Sequence, residues 1–189
     1  PLLAAGIVAL NPQFLFTSAL VTNDALLAAL SAAMLWLVLR RYAAGSYVRY
    51  ALALGTLTGL ALLTKQSALI LLPIAGVAVF EHSWRNAGRA WHIQQLVALV
   101  LFGGTTLLVC GWWFWRNLQL YGDLFGLAVF QAEFTTQAFN ARSPAAWFGA
   151  LRQLHSSFWG RFGWMNVPMP VWSLGVFSLI ELAALAGGL

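Results

Sequence analysis

The hydrophobic residues of this chain run in long blocks instead of alternating with polar ones. Six blocks contain no Asp, Glu, Lys or Arg: residues 1–23, 25–39, 50–64, 66–80, 93–115 and 162–180. A helix of about 17–25 apolar residues spans the hydrocarbon core of a bilayer, and helices of a soluble domain would carry polar faces that these blocks lack. The pattern therefore predicts an all-α, polytopic transmembrane protein with about five spanning or partly spanning helices and no β-sheet.

Polar residues between the blocks predict where the helices begin and end. Asn11-Pro12 stops a first helix, and the short apolar stretch that follows suits a segment at the membrane surface. Asn23-Asp24 then supplies the N-cap of a helix that runs to about Arg41. We therefore expect a short surface segment between two membrane helices.

The next block has the spacing that lets two helices approach closely. Gly55 and Gly59 lie four residues apart, so a neighbouring backbone can pack against this face. Lys65 then interrupts the apolar pattern, and residues 66–80 form a further apolar segment. At about 1.5 Å per residue, two runs of about 15 residues are short for a spanning pair. Either the two membrane helices are lengthened by polar residues that flank the apolar runs, or the turn at Lys65 lies below the membrane surface.

The block of residues 93–115 is the clearest span, and its last four residues are aromatic, as in a belt at a membrane–water boundary. After it, charged and amide side chains are interspersed with aromatic ones. This pattern predicts an external, partly helical interfacial loop region over residues 116–170. We expect residues 1–189 to be part of one transmembrane domain, and the chain to be an internal stretch of a longer protein.

Charge gives this membrane protein an orientation. The net charge is +5, although only 8% of the residues are charged. Cytoplasmic loops are enriched in basic residues, and the short loops carry a basic set that we expect on that face: Arg40, Arg41, Arg49, Arg85 and Arg89. The opposite, external face then receives Asp24, Lys65 and the 116–170 region. We expect the protein in the inner membrane of a bacterium, with lipid as a partner.

Two classes of site are not predicted. The arginines are scattered at helix ends and form no single stripe, which argues against a nucleic-acid partner. The single cysteine and the three histidines share no ligand spacing, so no metal site is predicted.

Isolated charges at the ends of the blocks are the candidates for chemistry, because ionisable groups inside a membrane usually have a function. Asp24 is either a helix N-cap or a carboxylate that lines an external cavity. Lys65 is either a lysine that reaches to the headgroups from a helix end or an ammonium that binds phosphate. Arg116 follows the aromatic run and is either an interfacial anchor or a second phosphate-binding cation.

Arg161 lies in a less ordinary setting. Gly160 and Gly163 bracket it, so the backbone can turn tightly and present the guanidinium. A guanidinium binds phosphate through two hydrogen bonds, and neighbouring rings can stack on sugars or isoprenoid chains. Four residues near these charges are predicted to line the substrate: Trp159, Trp164, Asn23 and Tyr121.

Four strings, in this order, carry a resemblance to a known family: NPQFLFTSALVTNDALL, GLALLTKQSALILLP, WWFWRNLQLYGD and SFWGRFGWMNVPMP. They resemble the GT-C superfamily of integral-membrane glycosyltransferases, in the branch with the protein O-mannosyltransferases and the lipid A aminoarabinose transferase. The similarity covers Asn11 to Pro170. It implies an enzyme that passes a sugar from a polyprenyl-phosphate carrier to an acceptor at the external membrane face.

The resemblance also implies roles for two residues. Asp24 corresponds to the family's second acidic residue and is the catalytic candidate, while Lys65 corresponds to the lysine of a Leu-Thr-Lys motif near the lipid phosphate. The family's principal acidic motif precedes these strings, so we expect the main catalytic base upstream of Pro1. Such a transfer needs a carboxylate for the acceptor proton and cations for the departing phosphate. Some relatives use a divalent metal, for which no ligand set is recognisable in the sequence.

Two other functions fit parts of the pattern. A non-catalytic accessory or scaffolding subunit of a larger membrane assembly fits the expected position of the acidic motif outside the chain. A transporter has its site on broken helices near the bilayer midplane, and the interruption at Lys65 agrees with that. The charge-free span of residues 93–115 and the absence of a visible inverted repeat argue against the transporter.

Overall fold

A computed structural model describes residues 2–40, 45–85, 91–128 and 140–187, and it is almost entirely helical. The α-helices within these ranges are α1 (Leu2–Ala9), α2 (Pro12–Ala19), α3 (Asn23–Leu39), α4 (Tyr47–Thr64), α5 (Leu71–Arg85), α6 (Trp91–Tyr121), α7 (Pro144–Gly160) and α8 (Val171–Gly187). A 3₁₀ helix covers Gln66–Ile70. The all-α class is thereby confirmed.

One small hairpin corrects the expectation that the chain has no β-sheet. Strand β1 (Arg161–Phe162) pairs in antiparallel fashion with β2 (Val167–Pro168). Gly163 makes the turn possible because its φ of +63° lies in the left-handed region, which favours glycine. Hydrophobic blocks do not reveal so short a ladder, because two residues per strand carry no recognisable alternation.

The chain folds as two compact units. The first unit consists of Pro1–Val21 and Gln137–Leu189, and it contains α1, α2, α7, the hairpin and α8. The second unit is Thr22–Thr136 and contains α3 to α6 with the 3₁₀ helix. A single transmembrane domain over residues 1–189 stays a prediction.

In the second unit, α4 packs against α6 at the two glycines that the spacing singled out. A Cβ atom on Gly55 would lie 2.7 Å from the carbonyl oxygen of Phe102, and one on Gly59 would lie 2.7 Å from the Cβ of Val109. The hydroxyl of Thr106 also donates to the carbonyl of Gly55 at 3.2 Å. The prediction of a tight helix crossing is confirmed, since there is no room for a side chain at either glycine.

The core of this unit lies around α4. Its buried apolar residues come from α3, α4, the 3₁₀ helix, α5 and α6: Met34, Tyr50, Ala51, Leu54, Ala61, Leu62, Ala68, Leu71, Ala75, Ala78, Val79, Ala98, Phe102 and Cys110. Small residues are frequent in this set, which allows backbones to approach and gives van der Waals contact where lipid supplies no hydrophobic driving force.

Three described helical segments are long and apolar enough to cross a membrane: Tyr47–Thr64, Gln66–Trp84 and His92–Tyr121. The first two contain 18 and 19 residues. Both helical segments thus include polar residues at the end away from Lys65, while the depth of the turn at Lys65 stays a prediction.

We had expected the last of these spans to end at the aromatic run, but it continues beyond that run. Helix α6 continues past Trp115 to Tyr121. No Pro or Gly occurs until Gly122, whose φ of +65° and N–H bond to the carbonyl of Leu118 close the helix. The aromatic residues mark a membrane boundary in the sequence, but a helix ends only where the backbone changes conformation.

In the first unit, side-chain hydrogen bonds fix the helix starts. Asn11 caps α2 by accepting from the N–H of Phe14 at 3.0 Å, and Ser143 caps α7 by accepting from Ala146. The Asn11 amide also donates to the carbonyl of Phe158 at 3.1 Å, which joins the start of α2 to α7. The short segment that starts at Pro12 is thus a helix that is tied to α7, and its position at the membrane surface stays a prediction.

The α4–α6 contact leads to a first prediction. Gly55→Ala and Gly59→Ala should each lower the free energy of unfolding by about 1–3 kcal/mol, because the added methyl group overpacks the crossing. Unfolding by heat or by a denaturing detergent in micelles measures the change.

The matched control is Gly104→Ala on α6, where an added Cβ has no neighbour within 4 Å. This variant should be as stable as the parent. Equal losses for all three variants would show that the crossing is not tight.

Candidate functional site

The candidate site begins where the chain leaves the helix at Lys65. Its φ of −160° and ψ of 139° are extended, between the end of α4 and the start of the 3₁₀ helix. The Lys65 N–H donates to the carbonyl of Ala61, and the Lys65 carbonyl accepts from the N–H of Ala68. The break therefore leaves both backbone groups of this residue bonded, which non-helical backbone in a membrane protein requires.

Asp24, in the first turn of α3, forms an ion pair with Lys65. The distance from Lys65 Nζ to Asp24 Oδ1 is 2.5 Å, and the two side chains are 40% and 43% exposed, respectively. Beside this pair, the amide of Asn23 donates to the carbonyl of Thr64 at 3.1 Å. Two polar contacts thus fix the start of α3 to the end of α4.

The interpretation of Asn23-Asp24 as a helix cap is wrong. The residue before the helix is Thr22, and its side chain makes no capping hydrogen bond. Asn23 and Asp24 lie inside the first turn, and their side chains bond to Thr64 and Lys65 instead of to their own helix. Short polar side chains serve both purposes, so their position in the sequence does not distinguish a cap from a contact between helices.

A surface cleft of about 390 Å³ opens at this ion pair. Residues from α3, α4, the 3₁₀ helix and α6 line it: Asn23, Leu62, Leu63, Thr64, Lys65, Gln66, Ser67 and Trp113. An ammonium group has three N–H donors, and Asp24 accepts one of them from Lys65. The remaining donors of Lys65 can bind an anion in the cleft.

Arg116 reaches the edge of this site through an aromatic ring. Its guanidinium carbon lies 5.2 Å from the centre of the Trp113 ring, and Trp113 lines the cleft. A cation over an indole face is a favourable electrostatic contact. Arg116 therefore contacts the cleft that contains Lys65 through the ring of Trp113. Tyr121 ends α6 and is 51% exposed, and its contact with substrate stays a prediction.

A compact loop follows α6 at the same end of the unit. The carboxylate of Asp123 accepts three backbone N–H bonds, from Phe125 at 3.0 Å, Leu127 at 2.7 Å and Ala128 at 3.0 Å. These hydrogen bonds hold the pKa of Asp123 below its ordinary value, because they favour the charged carboxylate. The amide of Gln66, from the cleft wall, donates to the carbonyl of Phe125.

Arg161 belongs to the first unit, where the hairpin holds its backbone. Its N–H donates to the side-chain oxygen of Gln13 at 2.8 Å, and the ring of Phe162 packs edge-on against Phe16 at 5.3 Å. The Nε atom of Arg161 is buried and has no hydrogen-bond partner among the described residues. A buried guanidinium donor without a partner is unusual and suits an anion that completes it.

The two tryptophans predicted to line the substrate have different surroundings. Trp159 is only 4% exposed, and its ring stacks on Phe177 at 4.2 Å. Trp164 lies at the hairpin turn and is 98% exposed. The indole of Trp164 is therefore accessible to a ligand, whereas the ring of Trp159 is occupied by packing between α7 and α8.

Sequence reasoning missed the acidic residue of the last helix. Glu181 accepts from the Trp159 indole N–H at 2.6 Å, and its second oxygen lies 3.1 Å from Nε2 of His155. The signal was present in the sequence, since Glu181 is an isolated charge directly after the charge-free block of residues 162–180. Its neighbours could not be read from the sequence, because they lie on another helix.

Three of the four charged residues predicted for the site lie at the cleft of the second unit. Asp24 and Lys65 are in contact, and Arg116 stands over a ring of the same cleft. Arg161 lies in the other unit, and the position of all four residues on one external face stays a prediction. Within the described ranges, no group of three or more His, Cys, Asp or Glu could hold a metal ion.

The model of the dolichyl-phosphate-mannose-protein mannosyltransferase family matches residues 1–113 of this chain. The chain belongs to this family. The resemblance to GT-C glycosyltransferases is thereby confirmed, and the family is one of integral-membrane glycosyltransferases. No curated protein matches the chain, and no solved structure does.

The region that matches the mannosyltransferase family contains the centre of the cleft. Asp24, Lys65 and Trp113 lie within it, whereas Arg116 and Arg161 follow it. The ion pair and the aromatic wall are thus features of the part of the chain that the family describes.

The hydrogen bonds of Asp123 predict how this loop responds to pH. The folded-state pKa is lower than the unfolded one, so the bonds stabilise the loop above the ordinary carboxyl range near about pH 4. That stability is lost as the pH falls through the lowered pKa. Hydrogen exchange of residues 122–128, corrected for intrinsic rates, should therefore show constant protection from about pH 7 to about pH 5 and a loss only in stronger acid.

The comparison variant is Asp123→Asn, which cannot change charge. Its loop should exchange faster at every pH and show no acid transition. A parent loop that loses protection already at about pH 6 would contradict the assignment.

Proposed function

We propose that the full protein moves a sugar from a polyprenyl-phosphate carrier to an acceptor at the external membrane face. The observation that carries the proposal is the ammonium of Lys65, which Asp24 fixes at the mouth of a cleft within the region matched by the mannosyltransferase family. Asp24 accepts one N–H of this ammonium, and its two other donors can bind a second anion. The phosphate of a lipid-linked sugar is such an anion.

The chemistry assigns a part to each charge. When the acceptor hydroxyl attacks the sugar, the bond to the carrier breaks and negative charge develops on the departing phosphate. Cations that already stand at that position stabilise the transition state, and we assign this role to Lys65, Arg116 and Arg161. The unpartnered Nε of Arg161 and the position of Arg116 over the cleft's Trp113 support the assignment.

A carboxylate must accept the proton of the attacking hydroxyl. Asp24 is ion-paired with Lys65 of the cleft, so we assign it a part in this proton transfer beside the principal acidic motif of the family. Its ion pair with Lys65 holds the carboxylate near the phosphate-binding ammonium. The exposed indole of Trp164 and the amide of Asn23 are the side chains that we assign to the sugar or the isoprenoid chain.

Substitution of the cations tests this proposal. Lys65→Ala and Arg161→Ala in the full-length protein should each reduce sugar transfer from a polyprenyl-phosphate mannose at least ten-fold, which corresponds to about 1.4 kcal/mol of transition-state stabilisation. Initial rates in proteoliposomes, at equal amounts of inserted protein, measure the effect.

Arg152→Ala is the matched control, because Arg152 is an exposed arginine of α7 to which no contact with substrate is assigned. It should transfer sugar at the parent rate. Parent-level transfer by both Lys65→Ala and Arg161→Ala would overturn the phosphate-binding role and favour a non-catalytic accessory subunit.

The external position of the cleft is tested by labelling. In the second unit, α3 starts and α4 ends at the cleft, and Arg40 follows the opposite end of α3. Single cysteines at Ser46 and Arg142, in a protein with Cys110→Ala, should react with a membrane-impermeant maleimide from opposite sides. Arg142→Cys should react in intact cells, and Ser46→Cys only after permeabilisation. Reaction of both from one side would refute the orientation.

A further inference from the structure

The loop of residues 122–128, called the brace loop below, joins the end of α6 to the residue after Lys65. Its Phe125 carbonyl accepts from the side chain of Gln66. Its Phe125 ring packs edge-on against Phe114 of α6 at 5.8 Å, and the carbonyl of Leu124 accepts from Asn117 of α6 at 3.3 Å. The brace loop is therefore attached to α6 on one side and to Gln66 on the other.

Asp123 determines the shape of the brace loop. Its two carboxylate oxygens accept the backbone N–H groups of Phe125, Leu127 and Ala128. Those bonds turn the chain back on itself directly after α6, and this turn presents the Phe125 carbonyl to Gln66. Without the carboxylate, three N–H groups would lose their acceptor, and the carbonyl would no longer be fixed.

Lys65 needs such a support. It is an extended residue between two helical segments, so rotation about its φ and ψ moves the ammonium relative to both. The ion pair with Asp24 fixes the end of the side chain, but it does not fix the backbone of Lys65. Gln66 fixes the backbone next to Lys65 independently of Asp24.

We propose that Asp123 and Gln66 are positioning residues for Lys65, acting as one connection from α6 through the brace loop. This inference rests on the proposed phosphate-binding role of Lys65. Neither residue needs to touch the reacting atoms. They hold the ammonium in place when the donor phosphate binds it beside Asp24.

A double-mutant cycle tests whether the two residues act as one connection. In the full-length protein, Gln66→Leu removes the donor to the Phe125 carbonyl at similar size, and Asp123→Ala removes the acceptor of the three loop N–H groups. Each should lower kcat/KM for polyprenyl-phosphate mannose by about two- to ten-fold, the range for one hydrogen bond. The kcat/KM of the double variant should be no lower than that of the less active single variant. The second change breaks a connection that the first has already broken.

Ser143→Ala is the control, since it removes a capping bond of the same kind from α7 in the other unit. It should keep the parent kcat/KM and should show no coupling with Gln66→Leu. Losses from Gln66→Leu and Asp123→Ala that simply multiply would overturn the positioning role, because independent sites behave in that way.

Hydrogen exchange decides the inference separately from the proposed function. Gln66→Leu should speed amide exchange in residues 122–128 in the absence of any donor, whereas Ser143→Ala should not. Unchanged exchange in Gln66→Leu would refute the connection whatever the activity of Lys65→Ala. Parent-level transfer by Lys65→Ala would instead refute the phosphate role, even if the exchange result confirmed the connection.

Discussion

The crossing of α4 and α6 at Gly55 and Gly59 is the contact on which the site in the second unit depends. The paired positions run in the same direction along both helices, from Gly55 beside Phe102 to Gly59 beside Val109. One turn further on, the end of α4 and Trp113 of α6 line the same cleft. Because lipid is as apolar as the helix surfaces, close contact and the Thr106 hydrogen bond must hold the helices together.

The break at Lys65 is possible because its polar groups are bonded locally. Its N–H and carbonyl bond within the adjacent turns, and its side chain meets Asp24. Gln66, the next residue, bonds outward to the brace loop. An unbroken helix over residues 47–85 would leave the ammonium on a helix face with no reason to lie near α3. The extended conformation of Lys65 thus leaves none of its backbone groups without a hydrogen bond.

The first unit stabilises its own arginine by a different arrangement. The backbone of Arg161 is fixed by Gln13 and by the pairing of two short strands. Its side-chain Nε stays without a partner among the described residues. Two residues earlier, the ring of Trp159 is buried, and its indole N–H donates to Glu181. The hairpin therefore separates a structural tryptophan from an exposed one at Trp164, although the two residues look equivalent in the sequence.

The sequence by itself determined the helical class, the membrane context, the family and the close approach at Gly55 and Gly59. These follow from block length and residue size, which are local properties. Only the tertiary structure decided that Asp24 pairs with Lys65 instead of capping its helix, that α6 continues to Tyr121, and that Gln66, Gln13 and Glu181 make the supporting contacts. A short polar side chain can bond to its own backbone or to another helix, and the choice depends on which groups the packed helices bring within about 3 Å.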